Sequence, residues 1–487
     1  PRPEPRPPLR RAGAVLPGLS ALRVPSLLSV LPVLPVLAVV ALLGLPVTPG
    51  SSATAADAAS GLVVLCALVR VVRGARRPLT RTAAILFGLP VVGVAVAAAG
   101  ALTTSDALTG LARYLQVFVL VPVGVLLLVR DRRGARLVLW SLVGLALWQG
   151  AIGVRQNLTA TGALYQGADI RAVGTFGPSD VMGMATVVAF GVVAATGLAL
   201  GTRARRQRLV AAVCAVALLV PLALSFSRGA WIATAFACGA QLLLVGVRRA
   251  AKVFAAAAAV AVVLVGGLGV GAATLQERLT SVTQVTDAPD QSVVDRYTMW
   301  AAAGEMWRGH PLTGVGLKAF PAHRDGHASL ALSSGSDTAG AGQAFRRQPL
   351  LSPHNMYLLL LSEQGMLGLL TVAGSWFALL VIALRRLRRS GRAVRDCALP
   401  ACGLLLWQLV NFLYADIGGP STILAGICLG LTAWWALGRV TEVPEAEALD
   451  AKVVTAVPAA EVPVAEAPDT KITDRATAPT AESGGSR

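Results

Sequence analysis

Apolar stretches of about twenty residues recur along the chain between short polar connections, which is the length a helix needs to cross the ~30 Å hydrocarbon core of a bilayer. They fall near residues 25–46, 58–72, 82–101, 111–129, 134–154, 179–201, 209–226, 230–247, 253–273, 356–384, 397–414 and 418–437. The pattern therefore predicts about 12 transmembrane helices. A spanning helix closes its own backbone hydrogen bonds, which lipid cannot do, so the expected fold class is all-α, a polytopic integral membrane protein. Pro32 and Pro35 fall inside the first stretch and are expected to kink it. That stretch follows a Pro/Arg-rich segment, but it is long and lacks a convincing small-residue cleavage site, so it reads as a retained span and not as a signal peptide.

Charge gives an independent test of the count, because cytoplasmic loops collect Lys and Arg. Basic clusters occupy every second connection: the N-terminal segment, residues 70–81, 130–136, 203–208, 248–252 and 385–395, and the C-terminal tail. Residues 48–56 and 103–110, in intervening connections, carry no Lys or Arg. Both termini are expected in the cytoplasm of a multi-pass plasma-membrane protein. The domain organisation that follows is a cytoplasmic tail at 1–24, helices one to nine over 25–273, a large extracytoplasmic loop at 274–355, helices ten to twelve over 356–438, and a cytoplasmic tail at 439–487. That last tail is rich in Ala, Pro, Val, Thr and Glu without helical periodicity and is expected to be disordered.

Composition removes other classes. With 55% hydrophobic and only 14% charged residues, the chain lacks the polar surface of a water-soluble fold. The net charge of +18 suggests a nucleic-acid partner at first sight, yet the basic residues punctuate hydrophobic spans and form no zinc-finger, RNP-like or aromatic-interleaved groove. No nucleic acid is expected. The six cysteines lie in or beside apolar segments without paired spacing and read as small buried hydrophobes.

Chemistry is expected in the connections on the side poor in positive charge. Within the large loop, residues 293–308 (VVDRYTMWAAAGEMWR) read as an amphipathic interfacial helix with Met299, Trp300, Ala303 and Trp307 on one stripe. All four histidines, His310, His323, His327 and His354, map to this loop or its end. Arg228 lies in a tight hairpin, Ser-Phe-Ser-Arg-Gly at 225–229, where a guanidinium at membrane depth needs an anion or must snorkel to headgroups. Arg296 sits on the amphipathic helix near Trp300, where an ordinary solvated charge is the competing explanation. His354 stands at the entry to an apolar helix, able either to take a proton from a hydroxyl or to cap that helix. Glu363, nine residues on, is expected to face away and to pair with a buried cation. His323 and His327 with Asp325 between them have a spacing that weakly suggests a metal, and no metal is expected.

Four elements together resemble the O-antigen ligase and O-antigen polymerase superfamily of bacterial membrane glycosyltransferases. They are residues 171–178 (RAVGTFGP), 225–229 (SFSRG), the run from Arg296 through Trp300 to HPLTGVG at 310–316, and SPHNMY at 352–357 leading to EQGMLG at 363–368. The resemblance covers roughly residues 160–375 and implies a GT-C-like fold and an extracytoplasmic site. The donor it implies is a glycan on a polyprenyl diphosphate such as undecaprenyl diphosphate, and it implies no metal or other cofactor. It implies that Arg228, Arg296 and His354 are the functional set, with Arg171 and Trp300 assisting substrate binding and His310 and Glu363 as secondary candidates. The acceptor implied is a glycan, wall polymer or glycolipid hydroxyl at the membrane lipid surface. A transporter of a lipid-linked or anionic solute is the competing class, although no internal repeat marks one; a non-catalytic scaffold is a third.

Overall fold

The computed structural model describes residues 30–47, 54–74, 79–165, 169–248, 250–253, 255, 291–333, 336–337, 347–348 and 350–438. The expected span at 253–273 falls almost entirely outside the described residues, as do the tails at 1–24 and 439–487. The architecture is all-α. After a 3-10 turn (Leu31–Val33) come α1 (Leu34–Leu42), α2 (Ala55–Arg73), α3 (Arg81–Ala99), α4 (Thr104–Leu128), α5 (Arg132–Leu158), α6 (Gly183–Gly201), α7 (Arg205–Leu224) and α8 (Arg228–Val245). The long connection after α8 holds α9 (Gln291–Gly309) and α10 (Phe320–His327), and α11 (Met356–Arg389), α12 (Arg395–Asn411) and α13 (Ile423–Leu437) complete the bundle. Among the described residues ten helices are long and apolar enough to cross a membrane, and α1 is a shorter apolar helix. Pro32 and Pro35 sit in the first turns of the 3-10 piece and of α1, so the expected kink takes the form of a step from one helix type to the other. Two small antiparallel ribbons pair β1 (Ala163–Tyr165) with β2 (Asp169–Arg171) and β3 (Ser336–Asp337) with β4 (Arg347–Gln348).

Helices α6, α12 and α13 form the centre of the bundle and are buried over most of their length. Hydrophobic burial does not drive helices together inside lipid; close packing and cross-helix hydrogen bonds do. Gly197 lets α6 touch the backbone of α12, since a Cβ there would stand 2.6 Å from the Pro400 nitrogen. The Gln241 amide of α8 donates to the carbonyls of Val193 and Leu399, both at 3.1 Å, and ties three helices together. The Trp407 indole donates to Thr234 at 2.9 Å and the Thr432 hydroxyl to the Ala401 carbonyl at 2.9 Å. Such bonds contribute about 0.6 to 2 kcal/mol each.

Contacts between connections sort them to two ends. At one end Arg132 and Arg136 of α5 reach Asp396 of α12 at 2.8 and 3.6 Å, and Arg386 of α11 donates to the Gly438 carbonyl after α13 at 2.7 Å. At the other end the amide of Val47 meets the Thr175 carbonyl, Ala172 meets Leu224, and Leu317 meets Ala97. The basic connections thus gather at one end and the motif-bearing connections at the other.

Helix α11 is broken within its apolar length. Gly365 adopts φ 63° and ψ −164°, which no Cβ-bearing residue accommodates easily. Freed backbone groups inside a membrane must find partners. The segment after α9 supplies them: Val315 and Gly316 donate to Ser362 and Glu363 carbonyls at 2.9 and 3.0 Å, while Met366 and Leu367 donate to Pro311 and Leu312 carbonyls at 2.9 and 3.1 Å. The loop motif at 310–316, a run of turns, is therefore the patch that closes the break. Gly314, at φ 67°, lies so close to α11 that a Cβ would stand 2.4 Å from the Glu363 backbone.

The interfacial helix forms as expected, but its buried face is turned. Asp295, Thr298, Met299, Ala302, Ala303 and Met306 face inward on α9, which packs against α10 and α11. Trp300 and Trp307 stay half-buried on the flank, because each indole N–H needs an acceptor. They find the carbonyls of Pro353 at 2.8 Å and Pro311 at 3.2 Å.

Candidate active site

The Ser-Phe-Ser-Arg hairpin joins α7 to α8 at the motif-bearing end. Ser227 caps α8, accepting from the Ala230 amide at 3.3 Å, and Phe226 holds a positive φ of 49°. A bulky residue in that region is strained by roughly 1–3 kcal/mol and persists only where its surroundings enforce it. Here the enforcement includes the Ser225 hydroxyl on Leu222 at 2.6 Å, the Trp231 indole on the same carbonyl at 2.7 Å, and the Arg171 Nε on the Ser225 carbonyl at 2.7 Å. Arg171 is thus fastened to the turn that carries Arg228. Arg228 itself is exposed, at the first position of α8.

The turn between α12 and α13 is the place where the motifs meet. Gly229 packs on it so closely that a Cβ would be 3.1 Å from that of Tyr414. The Met356 amide, two residues after His354, donates to the carbonyls of Phe412 and Ala415 at 2.8 and 3.1 Å. Asp180, just after the Arg171 motif, accepts from the Ser421 amide and hydroxyl at 3.1 and 2.5 Å. Burial pushes the Asp180 carboxyl above its ordinary value, while the Ser421 and backbone hydrogen bonds oppose that rise. Arg113 of α4 bonds Asp57 of α2 at 2.6 Å and donates to the Gly419 carbonyl at 3.2 Å, anchoring the same turn from the opposite side.

His354 stands between Pro353 and the start of α11 with φ 48°, a second strained residue. It does not cap the helix. Asn355 does, its Oδ1 accepting from the amides of Tyr357 and Leu358 at 3.0 and 3.1 Å, which leaves the imidazole for other work. Burial lowers the His354 pKa below its ordinary value; the neighbouring Asp416 carboxylate raises it and the neighbouring Arg296 guanidinium lowers it. Arg296 and Asp416 are therefore both close to the imidazole. Arg296 is half-buried on α9, and Trp300 one turn on fixes the His354 loop through Pro353.

The remaining candidates are engaged in other contacts. His310 ends α9, fourteen residues or about 21 Å along the helix from Arg296, and is exposed. Glu363 accepts from the Phe320 amide at 3.2 Å and from that of Lys318, so it holds the start of α10 through backbone groups rather than through a buried guanidinium. The ring nitrogens of His323 and His327 are engaged by the carbonyls of Ala319 and His323 at 3.0 and 2.9 Å, and Asp325 pairs with Arg324. Among the described residues no group of three or more His, Cys, Asp or Glu side chains is arranged to hold a metal.

Residues 213–373 match the family model described as O-antigen ligase. This match, over about a third of the chain, supports its resemblance to the O-antigen ligase/polymerase superfamily. No curated protein matches the chain. The matched segment runs from within α7 to the π-helical turn of α11 and contains Arg228, Arg296 and His354, while Arg171 and the α12–α13 turn lie outside it. Asp416 escaped the sequence reading. Its only signal there was an acid in a short connection between two apolar spans, and the 61 intervening residues hide its closeness to His354.

Proposed function

We propose that the protein is an inverting, metal-independent glycosyltransferase that moves a glycan from a polyprenyl-diphosphate carrier to an acceptor hydroxyl on the extracytoplasmic side, as a ligase or a polymerase. The single observation that carries this reading is the convergence of the Arg228 hairpin and the His354 loop on one turn, with Arg296 beside the imidazole. A sugar leaving diphosphate needs its developing negative charge stabilised, and Arg presents a planar fork that binds phosphate oxygens bidentately. Arg228 and Arg296 hold the diphosphate in this scheme, with Arg171 bracing the hairpin. The acceptor oxygen attacks C1 from the opposite face, the C1–O bond to diphosphate breaks with its electron pair on the leaving group, and His354 takes the acceptor proton. The products are polyprenyl diphosphate and the extended acceptor.

The lowered pKa of His354 supports the base role, since a neutral imidazole at neutral pH is ready to accept a proton. The positive-inside bias supports placing the motif-bearing end outside the cell. The break in α11 is a feature that transporters share. Its freed backbone groups, however, are closed by residues 311–316 and so are not left open to a solute. Purified protein given undecaprenyl-diphosphate-linked glycan in the presence of EDTA is expected to release undecaprenyl diphosphate only once an acceptor is added. In proteoliposomes, passage of the donor across the bilayer without a new glycosidic bond would establish the transporter instead.

A further inference from the structure

Among the described residues, four buried polar atoms at α4, α11 and the α12–α13 turn have no hydrogen-bond partner: the Tyr114 hydroxyl, both polar atoms of the Gln364 carboxamide, and Oδ2 of Asp416. Tyr114 is 3% exposed and Gln364 is 1% exposed. They belong to one cluster. The phenol lies beside the Gln364 side chain, short of hydrogen-bonding geometry, and within the fields of Glu363 and of Asp416, the second of which also acts on His354. Gln364 is eight residues into α11, about 12 Å below its outer end. The rings of Phe118, Trp376 and Phe412 pack against one another in tilted and edge-on contacts and, with Phe118 5.9 Å from Tyr114, border the cluster. His354 and Asp416 are both half-buried, in contrast to the nearly complete burial of Tyr114 and Gln364.

An unpaired phenol and an unpaired carboxamide in a membrane interior each cost their full desolvation, whereas Phe or Met in the same space would not. The two helices also bring them to the site from different parts of the chain, α4 and α11. A carboxamide, a phenol and a carboxylate together offer donors and acceptors at short range, which matches neighbouring sugar hydroxyls that both donate and accept. The cluster lies on the His354 side, where the proton-losing hydroxyl must sit, so the ligand is the acceptor.

We infer that Tyr114 and Gln364 form the acceptor-sugar subsite, hydrogen-bonding hydroxyls adjacent to the one that attacks. The inference rests on the transfer reading above and adds to it the chemistry that selects the acceptor. Its test is steady-state kinetics of the full chain and of Tyr114→Phe and Gln364→Met in lipid nanodiscs. The donor is a synthetic undecaprenyl-diphosphate-linked repeating unit and the acceptor an alkyl glycoside of the same unit. Each variant should raise the KM for acceptor about tenfold, the loss expected for one hydrogen bond in a buried site. The donor KM and kcat should change less than about twofold, and the unfolding temperature should hold or rise because an unmet polar group has gone. An unchanged acceptor KM with a raised unfolding temperature would show an unfilled void or a bound water and overturn the subsite. A raised donor KM would move the cluster to the donor side, and a fall in kcat alone would make it a support for His354; both overturn the inference. Turnover by the unmodified chain keeps the two claims apart, since its absence removes the transfer reading and the subsite with it, while its presence leaves only the subsite at stake.

Discussion

At the level of single residues, burial lowers the His354 pKa, Asp416 raises it and Arg296 lowers it. If His354 is the proposed base, working in its neutral form, transfer should stay constant through neutral pH and fall only as pH drops through a pKa below the ordinary histidine value of 6.5. Removing the opposing charge sharpens the sign. In Asp416→Asn the acid limb of the rate profile should move to still lower pH, and an upward move would contradict the assigned contact. Arg228, Arg296 and His354 were legible in the sequence because cations run against the charge bias on that side and a histidine at a loop-to-helix junction is conspicuous. Tyr114, Gln364 and Asp416 were not, since a tyrosine, a glutamine or an acid near apolar spans is ordinary until folding shows what each faces.

At the level of elements, the spans were readable from length and apolarity, and most bounds agree to within a few residues, as for residues 82–101 against Arg81–Ala99. The break in α11 was not readable, because Gly365 inside an apolar run looks like any tolerated helix glycine. What makes it a break is the segment at 310–316 docking from the other side of a long loop. Gly365→Ala would place a Cβ 2.3 Å from the Leu312 backbone at φ +63°. It should lower the unfolding temperature in detergent by several degrees, reflecting about 2 kcal/mol or more; an unchanged melting curve would mean that the break is not enforced by this contact. Asn355→Ala should destabilise the start of α11 by about 1 kcal/mol and reduce kcat by loosening the His354 loop. Equal kcat in the variant would separate the cap from the chemistry.

For the whole molecule, connections alternate between a basic end and a motif-bearing end, and the orientation proposed from the positive-inside bias puts the second at the cell exterior. A single cysteine replacing Ser105, in a background lacking the six native cysteines, should react with a membrane-impermeant maleimide in intact cells, whereas one replacing Arg133 should react only after lysis. The reverse pattern would invert the orientation. The central claim is that separate outer connections are brought together to hold a diphosphate. The most direct measurement is the dissociation constant of undecaprenyl diphosphate for the purified protein and three variants. Arg228→Ala and Arg296→Ala should each weaken binding at least about tenfold, equivalent to ~1.4 kcal/mol, while His354→Ala binds as the unmodified protein does. Equal affinity in all four proteins would contradict the account.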